Sequence, residues 1–189
     1  MSRAEDLLGN ELRQIEDDNI REFTKFALDK APAYFWLVPS SSTGKYHPAQ
    51  SNGTGGLVRH TRSATYFAGI LCRAYNLEGR EKDIVISSVI LHDIVKYGLV
   101  MEKYTTKTHD RDGAGFLAKL AIDFEGIAKK DVSEICNAVA YHTGRWTSHN
   151  RAKKFPEEYA TAELIVHLAD MCSAGKEVNL EFLQENLIG

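Results

Sequence analysis

Apolar residues along this chain recur at helical spacing, and the interruptions mark where one helix should stop and the next begin. Leu8, Leu12, Ile15, Phe23, Phe26 and Ala27 trace a stripe that predicts a helix or helix pair over residues 4–30. Residues 31–56 break the pattern. They hold three of the four prolines, the run Ser40-Ser41-Ser42-Thr43-Gly44 and the run Asn52-Gly53-Thr54-Gly55-Gly56. A loop this long in a compact domain is usually functional. No second core precedes it, so it is not read as a domain linker. Helical spacing then resumes over 57–75 and 83–96. A polar stretch at 102–110 separates these from a helix near 113–124. Asp131 and Glu134 form a capping-box variant that opens a helix running to about residue 142, with Gly144 just past its end. Pro156 suits the first position of a helix to about residue 172, and a short last helix is expected over 180–187. No strand-period segment, internal repeat or low-complexity tract is present. The pattern predicts an all-α helical bundle in one domain spanning 1–189.

Composition narrows the class. The 189 residues are 43% hydrophobic and 26% charged, enough for a real core in one soluble domain. A net charge of -3 predicts no bulk attraction to nucleic acid or to an anionic membrane. The first six residues are charged and carry no apolar signal region, and no apolar run approaches a membrane span. Cys72, Cys136 and Cys172 are odd in number and widely spaced, which fits reduced thiols. These features together point to a cytoplasmic protein with no membrane contact and no obligate protein partner. No Cys-x-x-Cys pair is available for a thiolate zinc site.

The chemistry lies in polar residues on apolar faces. His60 shares a face with Ala64, Phe67 and Leu71. His92 follows Val85 and Val89, with Lys96 one turn further on. His142 follows Ile135 and Val139. Asp170 ends the apolar run Leu164-Ile165-Val166-His167-Leu168-Ala169. A carboxylate aimed into a core is costly unless it is paired or bound to metal. Inward imidazoles supply a partner through a divalent cation, and this donor set suits Zn, Mn, Fe, Co or Ni. His167 is read as packing or as support for the ligands.

In this order, His60, then His92-Asp93, then Asp170, the residues resemble the HD superfamily of metal-dependent phosphohydrolases. Gly55-Gly56-Leu57-Val58-Arg59-His60-Thr61 is similar to that family's entry to its first-histidine helix. Ile90-Leu91-His92-Asp93-Ile94-Val95-Lys96 resembles its central signature, including the lysine. Leu168-Ala169-Asp170 resembles its final aspartate motif. The resemblance covers about residues 30–175, with a metal-binding core at about 45–175. It implies an HD-domain helical bundle and a divalent metal cofactor of one or two ions, drawn from Mn, Fe, Ni, Co, Zn or Mg. His109, followed by Gly113-Ala114, and His142, in Ala140-Tyr141-His142-Thr143-Gly144, are similar to the third and fourth histidines of a dinuclear branch of phosphodiesterases and 3′-5′ exoribonucleases. That resemblance implies one ion on His60, His92, Asp93 and Asp170, and a second on Asp93, His109 and His142, with Asp93 bridging. Lys45-Tyr46-His47-Pro48 also resembles the exoribonuclease-like branch.

Some relatives carry two adjacent histidines where this chain has Tyr141-His142, which leaves a position that His149 is considered for. The Gly-Tyr-Pro element of cyclic-dinucleotide phosphodiesterases is absent. Asp93 and Lys96 are the expected catalytic residues. Lys96, His47, Arg59 and Arg145 are the expected contacts to substrate, a nucleotide or short single-stranded oligonucleotide. The expected reaction is phosphoester hydrolysis by metal-activated water. Two other readings stay open: a nucleotide-sensing module without turnover, and a di-iron oxygenase on the same ligand set. Ser42-Thr43-Gly44-Lys45 is not a phosphate loop, because Pro39 and Tyr46 stand where that motif needs Gly and Ser or Thr. Gly53-Thr54-Gly55-Gly56 follows no strand and is not a dinucleotide fingerprint. Tyr34, Phe35 and Trp36 are read as core, with base stacking as the alternative.

Overall fold

A computed structural model describes residues 2–146, 154, 156–177 and 180. The described residues form seven α-helices and no strand, as the apolar spacing predicts. They are α1 (Arg3–Leu12), α2 (Asp18–Asp29), α3 (Gly56–Ala74), α4 (Gly79–Leu91), α5 (His109–Leu120), α6 (Lys129–Tyr141) and α7 (Thr161–Ser173). None of the described helices is long and apolar enough to cross a membrane.

The centre of the bundle is α4. Ile84, Val85, Ile86, Val89, Ile90 and Leu91 are all buried, so this helix is apolar on nearly every face. Such a helix is stable only when packed on all sides, and α4 touches α2, α3, α6 and α7. Each of these side chains contributes about 1.5–3 kcal/mol on burial. Its buried polar residues, Asp83, Ser87 and Ser88, are all paired. The Ser87 and Thr24 hydroxyls meet at 2.7 Å, and Ser88 donates to the Ile84 carbonyl at 2.7 Å. Asp83 accepts from the backbone N–H groups of Glu16 and Asp17 at 3.0 and 2.8 Å. That contact ties the start of α4 to the break between α1 and α2, where Asp17 caps α2.

Several boundaries differ from the sequence expectation, each for a local reason. Helix α4 stops at Leu91 instead of continuing to 96, and residues 92–101 turn. There the bonds run three residues back, from Ile94 to Leu91, Lys96 to Asp93 and Gly98 to Val95. Helix α5 begins at His109 rather than 113, because its first turn is polar and carries no apolar stripe. Asp131 does not cap α6, which begins at Lys129; it pairs with Arg80, which also meets Glu134 at 3.1 Å. Pro156 opens a short 3₁₀ turn, Pro156–Glu158, and α7 starts afterwards at Thr161. All of the expected last helix except Leu180 lies outside the described residues, as does His149.

The loop before α3 is ordered by two 3₁₀ turns, Ala33–Trp36 and Ala49–Ser51. Tyr34, Phe35 and Trp36 are buried in the core, not offered to a base. Gly56 is required by close packing: a Cβ there would lie 2.1 Å from the Ser51 carbonyl oxygen.

Candidate metal centre

The ends of four helices and the turn after α4 bring six of the expected residues together. His60 sits on α3, while His92 caps the C-terminus of α4 and Asp93 follows it. His109 opens α5, His142 caps the C-terminus of α6, and Asp170 lies in the last turn of α7. His60, His92, Asp93 and His142 are buried.

Asp93 is the hub. Its Oδ2 lies 3.5 Å from His60 Nε2 and 3.2 Å from His92 Nε2. Its Oδ1 lies 3.3 Å from His109 Nε2 and 3.6 Å from His142 Nε2. His60 and His92 present Nε2 atoms 3.2 Å apart, and so do His109 and His142. Two triplets result, His60-His92-Asp93 and Asp93-His109-His142. Asp170 joins the first through the imidazoles, its Oδ1 3.1 Å from His60 Nε2 and 3.6 Å from His92 Nε2.

The tautomers explain what this geometry is for. A carbonyl can only accept, so an imidazole nitrogen facing one carries the proton. His92 Nδ1–H donates to Val89 O at 2.6 Å, His142 Nδ1–H to Val139 O at 2.7 Å and His109 Nδ1–H to Thr106 O at 2.7 Å. The Ser173 hydroxyl donates to the Asp170 carbonyl at 2.8 Å and so accepts from His60 Nδ1–H at 3.1 Å. With Nδ1 carrying a proton, each ring turns its Nε2 toward its neighbour's Nε2 and a carboxylate. Asp93 Oδ1 is buried without a hydrogen-bond donor. Converging lone pairs repel unless a cation sits among them. Ligand atoms about 2.0–2.2 Å from a divalent ion stand roughly 3.0–3.5 Å from each other, which matches the separations here. The residues fit a divalent metal.

The charges agree. Burial would push Asp93 up, but Lys96 and His92 outweigh it and hold the carboxyl well below its usual range. Asp170 is likewise held down against burial by His60 and His92. His60 and His142 are pushed down by burial and stay neutral. The buried carboxylate of Asp93 and the partly exposed one of Asp170 thus stand against one buried ammonium, Lys96, which pairs with Asp93 Oδ2. The surplus negative charge overcomes the burial of His92 and lifts it to about 10. A metal ion and that proton compete for the same nitrogen.

Of the other expected residues, His47 adjoins the cluster, whereas Arg59 and Arg145 have partners outside it. Arg59 donates to the carbonyls of Gln50 and Asn52, the second at 2.9 Å, and so binds the preceding loop. Arg145 pairs with Glu157 at 2.9 Å on the exposed surface. His47 lies beside His60, with ring centroids 4.7 Å apart. His167 donates from Nδ1 to the His142 carbonyl at 2.7 Å and fixes the segment after α6. Gly144, at φ +59, lies against that ring; a Cβ would be 2.5 Å from it.

Two supporting residues were missed in the sequence. Ser173 orients His60. Asp110, fully buried, accepts from the Thr143 hydroxyl and the Arg111 N–H, both at 2.7 Å, and so joins the start of α5 to the segment after His142. Asp110 was open to suspicion only as an acidic neighbour of His109; Ser173, three residues past Asp170, carried no signal of its own.

A family model described as HD domain matches residues 57–175. No curated protein and no solved structure matches the chain.

Proposed function

We infer that this chain, which belongs to the HD-domain family, is a metal-dependent phosphohydrolase acting on a phosphoester of a nucleotide or short single-stranded oligonucleotide. HD domains are mostly metal-dependent hydrolases, and the His/Asp cluster here could hold a metal. One observation carries the finer reading: each oxygen of Asp93 faces its own set of imidazole lone pairs.

His60, His92, Asp93 and Asp170 would hold one ion, and Asp93, His109 and His142 a second. The nitrogen and oxygen donors suit Mn, Fe, Co, Ni or Zn, and Mg is retained for its preference for oxygen. Bound there, divalent ions supply activated water and offset the charge that develops on phosphoryl oxygens.

The chain's own groups do the rest. Asp93 is fixed between the two sets and directs both oxygens into the reaction space. Lys96 Nζ, paired with Asp93 and almost fully buried, supplies the cation for a phosphoryl oxygen. Low exposure strengthens each of these electrostatic contacts. Arg59 is held by the Gln50 and Asn52 carbonyls and Arg145 by Glu157, so among the expected contacts Lys96 is the cation already at the cluster. A net charge of -3 favours a small or single-stranded substrate over duplex.

Elemental analysis of protein purified without added metal tests the reading, with the His92→Ala/Asp93→Ala double variant alongside. About two ions per chain in the wild type, absent from the variant, together with a loss of at least about a thousandfold in phosphodiester turnover, is the expected result. One ion would favour a nucleotidase on the four-residue set. No ion, even after metal is supplied, would leave a nucleotide-sensing module. Turnover of an organic substrate that required iron would mark an oxygenase.

A further inference from the structure

Among the described residues, His47 is an imidazole beside the cluster that neither joins the ligand triplets nor holds a hydrogen bond. Both its nitrogens are closed to solvent and neither has a hydrogen-bond partner. An imidazole always carries at least one N–H, and a buried donor left unpaired is destabilising. The ring stands edge-to-face on His60 with the planes at 85°. Electrostatic interactions with His60, Lys96, Asp170 and Asp93 set it beside the charges of the first ion set. Yet His47 pairs with neither carboxylate, whereas His60, His92, His109 and His142 all do. It therefore lies against a ligand ring without pairing to any ligand atom, and its nitrogens are left for a partner the chain does not itself supply.

The loop that carries His47 is anchored from α3. Gly55 N–H donates to the Leu37 carbonyl and Leu57 N–H to the Val38 carbonyl, both at 3.0 Å. Ser40 donates to the Ser51 carbonyl from its backbone at 3.0 Å and from its hydroxyl at 2.8 Å. Arg59, next in sequence to His60, holds the Gln50 and Asn52 carbonyls. One helical turn thus aims His60 at the ion set and fixes the loop that brings His47 against it.

We propose that His47 is a substrate-binding residue that donates a hydrogen bond to a phosphoryl oxygen beside Lys96, and that Arg59 is the residue that positions it. This rests on the phosphohydrolase reading above.

The test uses the metal-loaded full chain, with inorganic phosphate as the probe. Phosphate affinity is measured by calorimetry and ion content by elemental analysis. His47→Ala should keep every ion and bind phosphate about tenfold more weakly, the scale of one hydrogen bond to a charged group. His47→Gln, which restores an N–H donor, should recover most of the loss. Arg59→Gln should weaken phosphate to the same extent, and the double variant no further. Loss of an ion in His47→Ala would make His47 a metal ligand and overturn the proposal. Wild-type phosphate affinity in His47→Ala would also overturn it, leaving the phosphohydrolase reading intact. A wild type that held its ions but bound no phosphate would remove that reading, and this proposal with it.

Discussion

An imidazole binds a cation through one nitrogen, and the hydrogen bond at the other decides which nitrogen that is. His92, His109 and His142 each settle the matter with a carbonyl three residues earlier in their own chain segment. His60 depends on Ser173, which is distant in sequence. Ser173→Ala should therefore weaken metal binding by about 10–100-fold, the scale for losing a ligand's outer partner. Chelator competition would measure it, with melting of the metal-free protein little changed. An unaltered affinity would mean that something other than Ser173 sets the His60 tautomer. At this scale the sequence was readable wherever a polar residue interrupted an apolar face, as at His60, His92, His142 and Asp170. It was not readable where the role came from a partner brought in by folding. Nothing around Arg59 in the sequence announces that the loop folds back to offer it two carbonyls. Arg145 similarly finds Glu157 through a turn that periodicity does not describe.

Helix existence and order followed from the apolar stripes, while helix ends followed from local bonds that the stripes do not encode. Helix α4 stops at Leu91 because His92 engages the Val89 carbonyl and the next bonds tighten. Helix α5 starts before its apolar face does, and so its first residue was read as loop. The junction of the long loop with α3 is the element most sensitive to a single carbon. Gly56→Ala places a Cβ against the Ser51 carbonyl and the Pro39 backbone. It should cost at least about 1–3 kcal/mol in urea unfolding, as for other overpacked sites. Gly115→Ala on α5 meets nothing, and should be neutral or stabilise by up to about 1 kcal/mol. Equal effects of the two substitutions would show that the loop does not press on α3 as described.

For the whole molecule, the cluster joins α3, α4, α5, α6 and α7 at one point. An ion bound only by the folded chain adds stability by mass action, about 4 kcal/mol at a thousandfold excess over its dissociation constant. Chelation should accordingly lower the melting temperature, and added divalent metal should restore it. A melting curve indifferent to chelator would indicate that the cluster holds no ion of consequence. The all-α class was legible because every apolar stretch had the same period. The pairing of α3 with α7 was not, since it depends on which faces meet rather than on which residues are apolar.

The contrast between the four imidazoles also bears on when during synthesis the chain would become able to take up a cation. Three of them obtain their orientation within a single turn of chain, so those donors are ready as soon as each segment coils. The fourth waits until the C-terminal end of α7 has docked on α3, 113 residues along from His60. Capture of a first ion would thereby wait until the polypeptide between those two helices has emerged and closed, so a half-made chain would lack a complete cage.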